Sequence, residues 1–226
     1  MPKTTSKESA VFCFAWPVYP IVDCDTAPGG DPLGLARSLA EAGAPLLQLR
    51  AKSLDTRGLV DLALEMAALC EQYGTRLIVN DRADVAEVVH AAGVHLGQED
   101  LPPAVVRRWF SPPRIIGYST HNLTQALAAA RSGSVDYIGV GPIFSTTTKA
   151  NPDPVVGLQG LREIRAAVAI PIVAIGGITE ANAQAVLDAG ADAVAMIRAI
   201  ARAENPGQFV RGLAEHLARK SHATEG

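Results

Sequence analysis

This sequence is poor in cysteine and has no strong excess of either charge. Each of these two features argues against a class of protein. The three cysteines, Cys13, Cys24 and Cys70, lack metal-ligand spacing, so we expect neither a disulfide scaffold nor a zinc module. They fit a reducing compartment, and we predict a cytoplasmic location. The net charge of -3 at pH 7 argues against a nucleic-acid-binding protein, because such proteins depend on attraction to phosphate.

Long hydrophobic runs are also absent. The most apolar N-terminal stretch, AVFCFAWPVYPIV, contains two prolines and is too short to span a membrane. It has no small-residue cleavage site, so we expect no signal peptide and no membrane partner. With 226 residues, 48% of them hydrophobic, the chain can bury one large core. We predict a flexible N-terminal tail over 1–12, a single domain over 13–218 and a C-terminal tail over 219–226.

A repeated unit, in which a helical segment ends and a short apolar strand follows, runs along the chain. Helical segments such as DPLGLARSLAEAG and TEANAQAVLDAG separate the strands. Glycines before the next strand are predicted to end helices as left-handed residues, at Gly43, Gly74, Gly93, Gly133 and Gly190. The eight predicted strands are Tyr19–Val22, Leu46–Arg50, Leu77–Asn80, Val94–Leu96, Ile115–Tyr118, Tyr137–Val140, Ile172–Ile175 and Ala193–Met196.

Eight such units predict an α/β protein with a closed (β/α)8 TIM barrel. The alternative is an open, doubly wound sheet. Polar clusters follow nearly all of the strands. In a barrel these strand ends converge on one mouth, whereas strands at opposite edges of an open sheet could not share one site. The distribution of polar residues therefore favours the barrel.

Strand 2 ends in QLRAK, where Gln48, Arg50 and Lys52 alternate with smaller or apolar residues. Side chains alternate along a strand, so these three are predicted to face the barrel interior and its mouth. Burying an unpaired cation costs several kcal/mol. Carboxylates on neighbouring strands are one source of neutralisation, and a polyanionic ligand is the other. We favour the ligand, because guanidinium and ammonium groups bind phosphate well.

Acidic residues follow strands 3 and 4, in the segments IVNDR and HLGQED. Asp81 and Asp100 are predicted to lie at the mouth, where two carboxylates and substrate phosphate oxygens could hold Mg²⁺. As alternatives, Asp81 pairs with Arg82 or caps the next helix, and Asp100 caps the helix that follows it.

Hydroxyl groups, glycines and a lysine follow the later strands. Ser119 lies in GYSTHN, and Lys149 ends the threonine-rich stretch GVGPIFSTTTK. Gly176 and Gly177 follow strand 7, and the loops after strands 7 and 8 often bind phosphate in such barrels. A tight turn without a ligand is the alternative for this glycine pair. Two anion sites at one mouth predict a transfer reaction, with a magnesium-bound diphosphate as leaving group.

Together these motifs resemble the thiamine-phosphate synthase (thiamine-phosphate pyrophosphorylase) family from about Tyr19 to Ala201. The similar segments are LQLRAK, IVNDRADVA, GVHLGQEDL, STHN, DYIGVGPIFSTTTK, PIVAIGGI and AGADAVAMIRAI. The resemblance implies a transferase on a (β/α)8 barrel. It would join a hydroxymethylpyrimidine diphosphate to a hydroxyethylthiazole phosphate, making thiamine phosphate and pyrophosphate by a dissociative, Mg²⁺-assisted substitution.

The resemblance also implies residue roles. Contacts to the pyrimidine diphosphate are expected from Gln48, Arg50, Lys52, Asn80, Ser119 and Lys149. Of these, Arg50, Lys52, Ser119 and Lys149 would be catalytic. Contacts to the thiazole phosphate are expected from Thr146, Thr148, Gly177, Ile197 and Arg198. Asp81 and Asp100 would hold Mg²⁺ as the cofactor. The implied partners are these two small molecules, and a homo-oligomer is left open.

The chain departs from the family pattern at Arg198, where serine is typical, and at Ala51, where an acidic residue is usual. The nearest alternative is a thiazole tautomerase-like isomerase without magnesium, in which His121 would be the base. A non-catalytic barrel that binds thiazole phosphate as a regulator is another, and a sugar-phosphate epimerase or indole-glycerol-phosphate-type barrel is more distant. The remaining histidines, His95 among them, show no ligand spacing and are expected to be structural or surface residues.

Overall fold

The structure is a computed structural model that describes residues 12–145 and 154–223. Eight parallel strands form a closed barrel in which each strand pairs with the next along the chain and β8 pairs with β1. The predicted (β/α)8 barrel is confirmed, and the open-sheet alternative is wrong. No helix in these two ranges is long and apolar enough to cross a membrane.

The strands agree with the sequence prediction to within two residues at each end. They are β1 Val18–Asp23, β2 Leu46–Arg50, β3 Arg76–Asn80, β4 Gly93–Leu96, β5 Ile115–Thr120, β6 Tyr137–Val140, β7 Ile172–Ile175 and β8 Ala193–Met196. The helices are α1 Pro32–Glu41, α2 Thr56–Tyr73, α3 Ala83–Val88, α4 Pro103–Val106, α5 Leu123–Ser132, α6 Gly157–Ala167, α7 Glu180–Asp188, α8 Arg198–Ala201 and α9 Pro206–Ala223.

Strand β2 shows how the barrel sorts its side chains. Leu47 and Leu49 are fully buried in the large core between strands and helices. Leu46 faces the other way and belongs to the smaller cluster inside the barrel. Gln48 also points inward, where it bonds Tyr19. The predicted alternation is therefore confirmed, and it directs Gln48 and Arg50 toward the mouth.

The prediction that Gly93 ends a helix is wrong. Gly93 is the first residue of β4, and a Cβ there would lie 2.1 Å from the carbonyl oxygen of Ile115 on β5. Its small size permits this close approach of two strands. The left-handed residue after α3 is His90, with φ of 52°. Gly43, Gly74, Gly133 and Gly190 do have positive φ, as predicted.

Aromatic residues close the end of the barrel where the strands begin. Phe14 packs against Tyr19 and Tyr137, and Phe12 packs against Phe14 and Tyr137. Arg76, the first residue of β3, places its guanidinium 5.5 Å from the centre of the Phe12 ring. Phe12 was assigned to the N-terminal tail by sequence, and in the structure it contacts this cluster. With this end covered, a ligand has access from the other end.

Candidate active site

A cavity of about 420 Å³ lies at the carboxyl ends of the strands. Predicted site residues that line it are Gln48, Arg50, Asn80, Ser119, Gly177, Ile197 and Arg198. They come from strands or loops far apart in sequence, and the closed barrel brings them to one mouth. Thr146, Thr148 and Lys149 lie outside the described residues, so their roles stay predictions.

Arg50 is neutralised by a carboxylate of the protein. Its Nη1 forms an ion pair with Oδ2 of Asp23, the last residue of the neighbouring strand β1. The Asp23 side chain is only 1% exposed, and that of Arg50 is 18% exposed. Lys52 makes a second ion pair, with 2.6 Å between its Nζ and Oδ2 of Asp81.

These two pairs correct the sequence interpretation. We expected a ligand, and not the protein's own acids, to neutralise Arg50 and Lys52, and that expectation is wrong for this structure. The physical reason is that a partly buried cation requires a counterion before any ligand arrives. The sequence does place Asp23 directly after the first predicted strand, and so near the mouth. That it lies opposite Arg50 depends on the register between β1 and β2, which only the structure shows.

Asp81 lies at a sharp turn after β3. Its φ of 64° is in the left-handed region, which Asp and Asn tolerate better than most residues. Its backbone N–H donates to the carbonyl of His95 at 2.7 Å. Arg82 pairs instead with Asp84, and the Asp81 side chain caps no helix. Both alternatives to a mouth position for Asp81 are thus wrong.

Asp100 closes a turn beside Asp81. Its Oδ2 accepts a hydrogen bond from the Gly97 N–H at 2.6 Å, and α4 begins beyond it without a side-chain cap. Burial, and then the charge and hydrogen bond of the Asp81 carboxylate, raise the pKa of Asp100, while the Gly97 N–H and Lys52 act in the opposite direction. Two adjacent carboxyl groups that repel one another are a donor set suited to a divalent cation.

The donor set fits magnesium better than zinc. Within residues 12–145 and 154–223, no three His, Cys, Asp or Glu side chains converge as a metal site. Mg²⁺ is commonly held by one or two carboxylates, with waters and substrate phosphates completing the shell. Asp81 and Asp100 match that arrangement in number and chemistry.

A chain of hydrogen bonds crosses the barrel interior to Ser119. Gln48 Nε2 donates to the Tyr19 hydroxyl (3.1 Å), which bonds the Tyr137 hydroxyl (3.1 Å). Tyr137 bonds His95 Nδ1, and His95 Nε2 bonds Ser119 Oγ, both at 2.9 Å. Burial raises the pKa of Tyr19 and of Tyr137, so both phenols keep their protons at neutral pH.

Each bond of this chain beyond Gln48 can run in either direction, because a hydroxyl group both donates and accepts and an imidazole has two tautomers. In either direction, Tyr137 and His95 hold the Ser119 Oγ in place beside the cavity.

Sequence reasoning missed His95. It was assigned a structural or surface role because it has no ligand spacing, yet it lines the cavity. The signal was present in strand alternation, since Val94 and Leu96 face the helices and His95 must face inward. His121 also lines the cavity, and its Nδ1 donates to the Gly141 carbonyl at 2.6 Å.

The loops after β6 and β7 are joined by backbone hydrogen bonds. The Ile143 N–H donates to the Ile175 carbonyl at 2.9 Å, and the Phe144 N–H donates to the Gly176 carbonyl at 3.0 Å. Gly177 has φ of 65° and lines the cavity, so the structure shows a tight turn that borders the cavity, and the role of Gly177 in binding phosphate stays a prediction. Arg198 lines the cavity at the start of α8, half-buried.

A closed parallel barrel with a cavity at its strand ends, lined by both polar and apolar side chains, defines a (β/α)8 protein of the class whose active site lies at those ends. The thiamine monophosphate synthase family matches residues 18–200, and the chain belongs to that family.

Individual relatives agree. The thiamine-phosphate synthase of Chloroflexus aurantiacus is 46% identical over 198 residues, which cover 88% of this chain and 91% of the relative. The thiamine-phosphate synthase of Moorella thermoacetica is 43% identical over 204 residues, which cover 90% of this chain and 97% of the relative. A solved thiamine phosphate pyrophosphorylase from Pyrococcus furiosus superposes with a TM-score of 0.79 at 37% identity, covering 89% of this chain and 96% of that one.

Proposed function

We propose that this protein is a transferase of thiamine biosynthesis that joins hydroxymethylpyrimidine diphosphate to hydroxyethylthiazole phosphate and releases pyrophosphate. The observation that carries the proposal is the cavity. Within one family-matched barrel, Gln48, Arg50 and Ser119 line the same cavity as Gly177 and Arg198. Two phosphorylated molecules could therefore meet there with their reacting ends adjacent. Three free cysteines agree with a cytoplasmic location.

The diphosphate is proposed to bind at the ends of β2 to β5. Arg50 lines the cavity and offers a guanidinium, which matches the geometry of phosphate oxygens. Lys52, which pairs with Asp81, offers a second positive charge. The Ser119 Oγ is held in place by its hydrogen bond with His95. Asp81 and Asp100 would hold Mg²⁺, which when bound neutralises charge on the diphosphate leaving group.

The thiazole phosphate is proposed to bind at the ends of β7 and β8. Gly177 presents its backbone without a side chain in the way, and Arg198 adds a positive charge. In the reaction, the bond between the pyrimidine methylene carbon and the diphosphate oxygen breaks, and pyrophosphate takes the electron pair. The thiazole nitrogen then bonds to that carbon. Apolar residues such as Ile21, Val173 and Ile175 line the cavity and would limit access of competing water.

Product formation with and without metal tests this function. The purified protein, incubated with both substrates and Mg²⁺, should release pyrophosphate and form thiamine phosphate in equal amounts. Excess chelator should reduce the rate to background, and added Mg²⁺ should restore it. Binding of both substrates without turnover would support the non-catalytic regulator instead.

One observation keeps the isomerase as a second candidate. His121 Nδ1 is held by the Gly141 carbonyl, so the neutral ring carries its lone pair on Nε2, as a general base requires. A tautomerase of this kind needs no metal. Conversion of a thiazole substrate alone, unchanged by chelator, would favour it over the transferase.

Arg198 stands where serine is typical of the family, and we expect its replacement to have a small effect. In Arg198→Ser, the KM for thiazole phosphate should change by no more than about fivefold, since loss of one contact of about 1 kcal/mol has that effect. Steady-state kinetics with the pyrimidine substrate saturating measure this. Arg211→Ser, which removes a surface charge on α9, is the control. A large gain in kcat would contradict the prediction.

A further inference from the structure

We propose that Asp23 is a positioning residue, which holds the Arg50 guanidinium in the orientation that receives the diphosphate of the pyrimidine substrate. The inference rests on the proposed function and adds a residue of β1 to that site. It is carried by the ion pair between a buried carboxylate and a guanidinium that borders the cavity.

The pair is built into the register of the barrel. Asp23 and Arg50 are opposite each other in the pairing of β1 with β2, and each is the last residue of its strand. The Cys24 N–H donates to the Arg50 carbonyl at 2.9 Å, which fixes the two backbones at this point. The Asp23 carboxylate is buried and is not part of the cavity lining, whereas Arg50 lines the cavity.

Asp23 is itself held from several directions. Its Oδ2 pairs with Arg50, while its Oδ1 accepts from the Asp25 N–H at 3.0 Å and lies 3.5 Å from the Thr26 hydroxyl. The Thr26 N–H donates to the Asp23 carbonyl at 3.1 Å. The carboxylate therefore has little freedom to swing, and it restricts the guanidinium in turn. A guanidinium has five N–H donors, so pairing through Nη1 leaves others to meet an anion in the cavity.

A carboxylate beside an anion site has two opposing effects. Its negative charge repels the diphosphate, which weakens binding. Its hold on Arg50 removes rotamer freedom that the substrate would otherwise have to restrict, which strengthens binding. The proposal states that the second effect is larger. The ion pair of Lys52 with Asp81 differs. Because the Lys52 side chain is 55% exposed, this pair restricts the conformation of Lys52 only weakly.

A similar ion pair, between Asp136 and Arg107, has a structural role. Asp136 pairs with Arg107 at 2.5 Å and accepts the Ile116 N–H at 2.6 Å, where β5 begins. Arg107 is 18% exposed, as Arg50 is, but neither Arg107 nor Asp136 lines the cavity. Asp136 thus ties structural elements together at the closed end. It provides a control for Asp23 that also has an arginine partner and a backbone N–H donor, although the Asp136 side chain is 26% exposed and that of Asp23 is 1% exposed.

The test is Asp23→Asn, compared with Asp136→Asn and the wild-type protein. Binding of inorganic pyrophosphate in the presence of Mg²⁺ is measured by calorimetry, and the KM for the pyrimidine diphosphate by steady-state kinetics. We expect the Kd for pyrophosphate and the KM for the pyrimidine diphosphate each to rise about tenfold or more in Asp23→Asn. The reason is that a guanidinium without its counterion samples several orientations, and only some of them can bind the diphosphate. In Asp136→Asn both should stay within twofold of wild type, with a lower Tm.

A double-mutant cycle tests whether Asp23 acts through Arg50. In an Arg50→Gln background, adding Asp23→Asn should no longer weaken pyrophosphate binding and should instead tighten it, since the group being positioned is gone and only the repulsion by the carboxylate is removed. Equal effects in both backgrounds would overturn the proposal. So would tighter or unchanged pyrophosphate binding in Asp23→Asn alone, because that result would mean that charge repulsion outweighs positioning.

The outcomes separate this inference from the proposed function. If the wild-type protein forms no thiamine phosphate and binds no pyrophosphate, the proposed function fails. If the wild-type protein is active and Asp23→Asn matches it, only the role of Asp23 fails. Should Asp23→Asn not fold, as judged by circular dichroism, Asp23→Glu keeps the charge but displaces the carboxylate. Its pyrophosphate Kd should rise severalfold, and a wild-type Kd would refute the proposal.

Discussion

Asp81→Asn and Asp100→Asn should each lower kcat by a factor of about 10³ or more, since losing a metal ligand removes several kcal/mol of leaving-group stabilisation. Asparagine is chosen because of the backbone at residue 81. Its φ of 64° is one that Asn adopts readily, whereas Ala there would add strain. Asn at position 100 keeps an oxygen that can accept from the Gly97 N–H. The fold should therefore survive both changes.

The comparison for these variants is Asp84→Asn. Asp84 lies three residues beyond Asp81 at the start of α3, where it pairs with Arg82 and is largely exposed. Its replacement should leave kcat within twofold of wild type. Steady-state turnover at saturating Mg²⁺ and the Mg²⁺ dependence of pyrophosphate binding measure the effects. Wild-type turnover in either Asp81→Asn or Asp100→Asn would refute the magnesium assignment.

Gly177→Ala should raise the KM for thiazole phosphate at least about tenfold, through displacement of the backbone that forms its pocket. A Cβ at this position would lie 2.7 Å from the Phe144 Cβ and 2.8 Å from the Ser145 carbonyl oxygen. Real Cβ atoms do not approach so closely, so the loops after β6 and β7 must separate. Binding of pyrophosphate, at the opposite side of the mouth, should change little.

Gly133→Ala separates the local clash from the cost of the backbone conformation. Gly133 ends α5 with φ of 63°, close to the 65° of Gly177, yet a Cβ there meets nothing within 4 Å. Both variants should lose about 1 kcal/mol of stability from the left-handed conformation. Thermal denaturation and kinetics for the two substrates should show that only Gly177→Ala impairs thiazole phosphate. Equal KM values in the two variants would contradict the prediction.

Much of the fold could be predicted because its signals are local. A parallel barrel buries both faces of every strand, so each strand is a short apolar run, and crossover helices must separate consecutive strands. Helix caps are also predictable from local sequence, because the capping side chain lies within a few residues of the N–H group that it binds. The Asn122 side chain accepts from the Gln125 N–H, and Thr179 and Asn182 form a capping box at α7. Gly93 was misassigned because glycine is common both at helix ends and where two strands approach closely. Its proximity to Ile115 on the neighbouring strand shows that the second role applies here.

The candidate site was predictable as a set of strand-end residues, but not as a set of contacts. Gln48, Arg50, Asn80 and Ser119 line one cavity because the barrel makes strand ends converge. The partners of the cations were misjudged. Arg50 pairs with Asp23 because the β1–β2 register sets these residues side by side, and no pattern within one strand reports a register between two.

By itself, then, the sequence determined the class of fold, the order of its elements and the residues that reach the mouth, since periodicity and turn chemistry act over a few neighbouring residues. Only the tertiary structure decided which groups neutralise one another. The Asp23–Arg50 pair and the chain from Tyr137 through His95 to Ser119 join residues from different strands. Such contacts depend on closure of the barrel, because it brings together side chains that lie far apart along the chain.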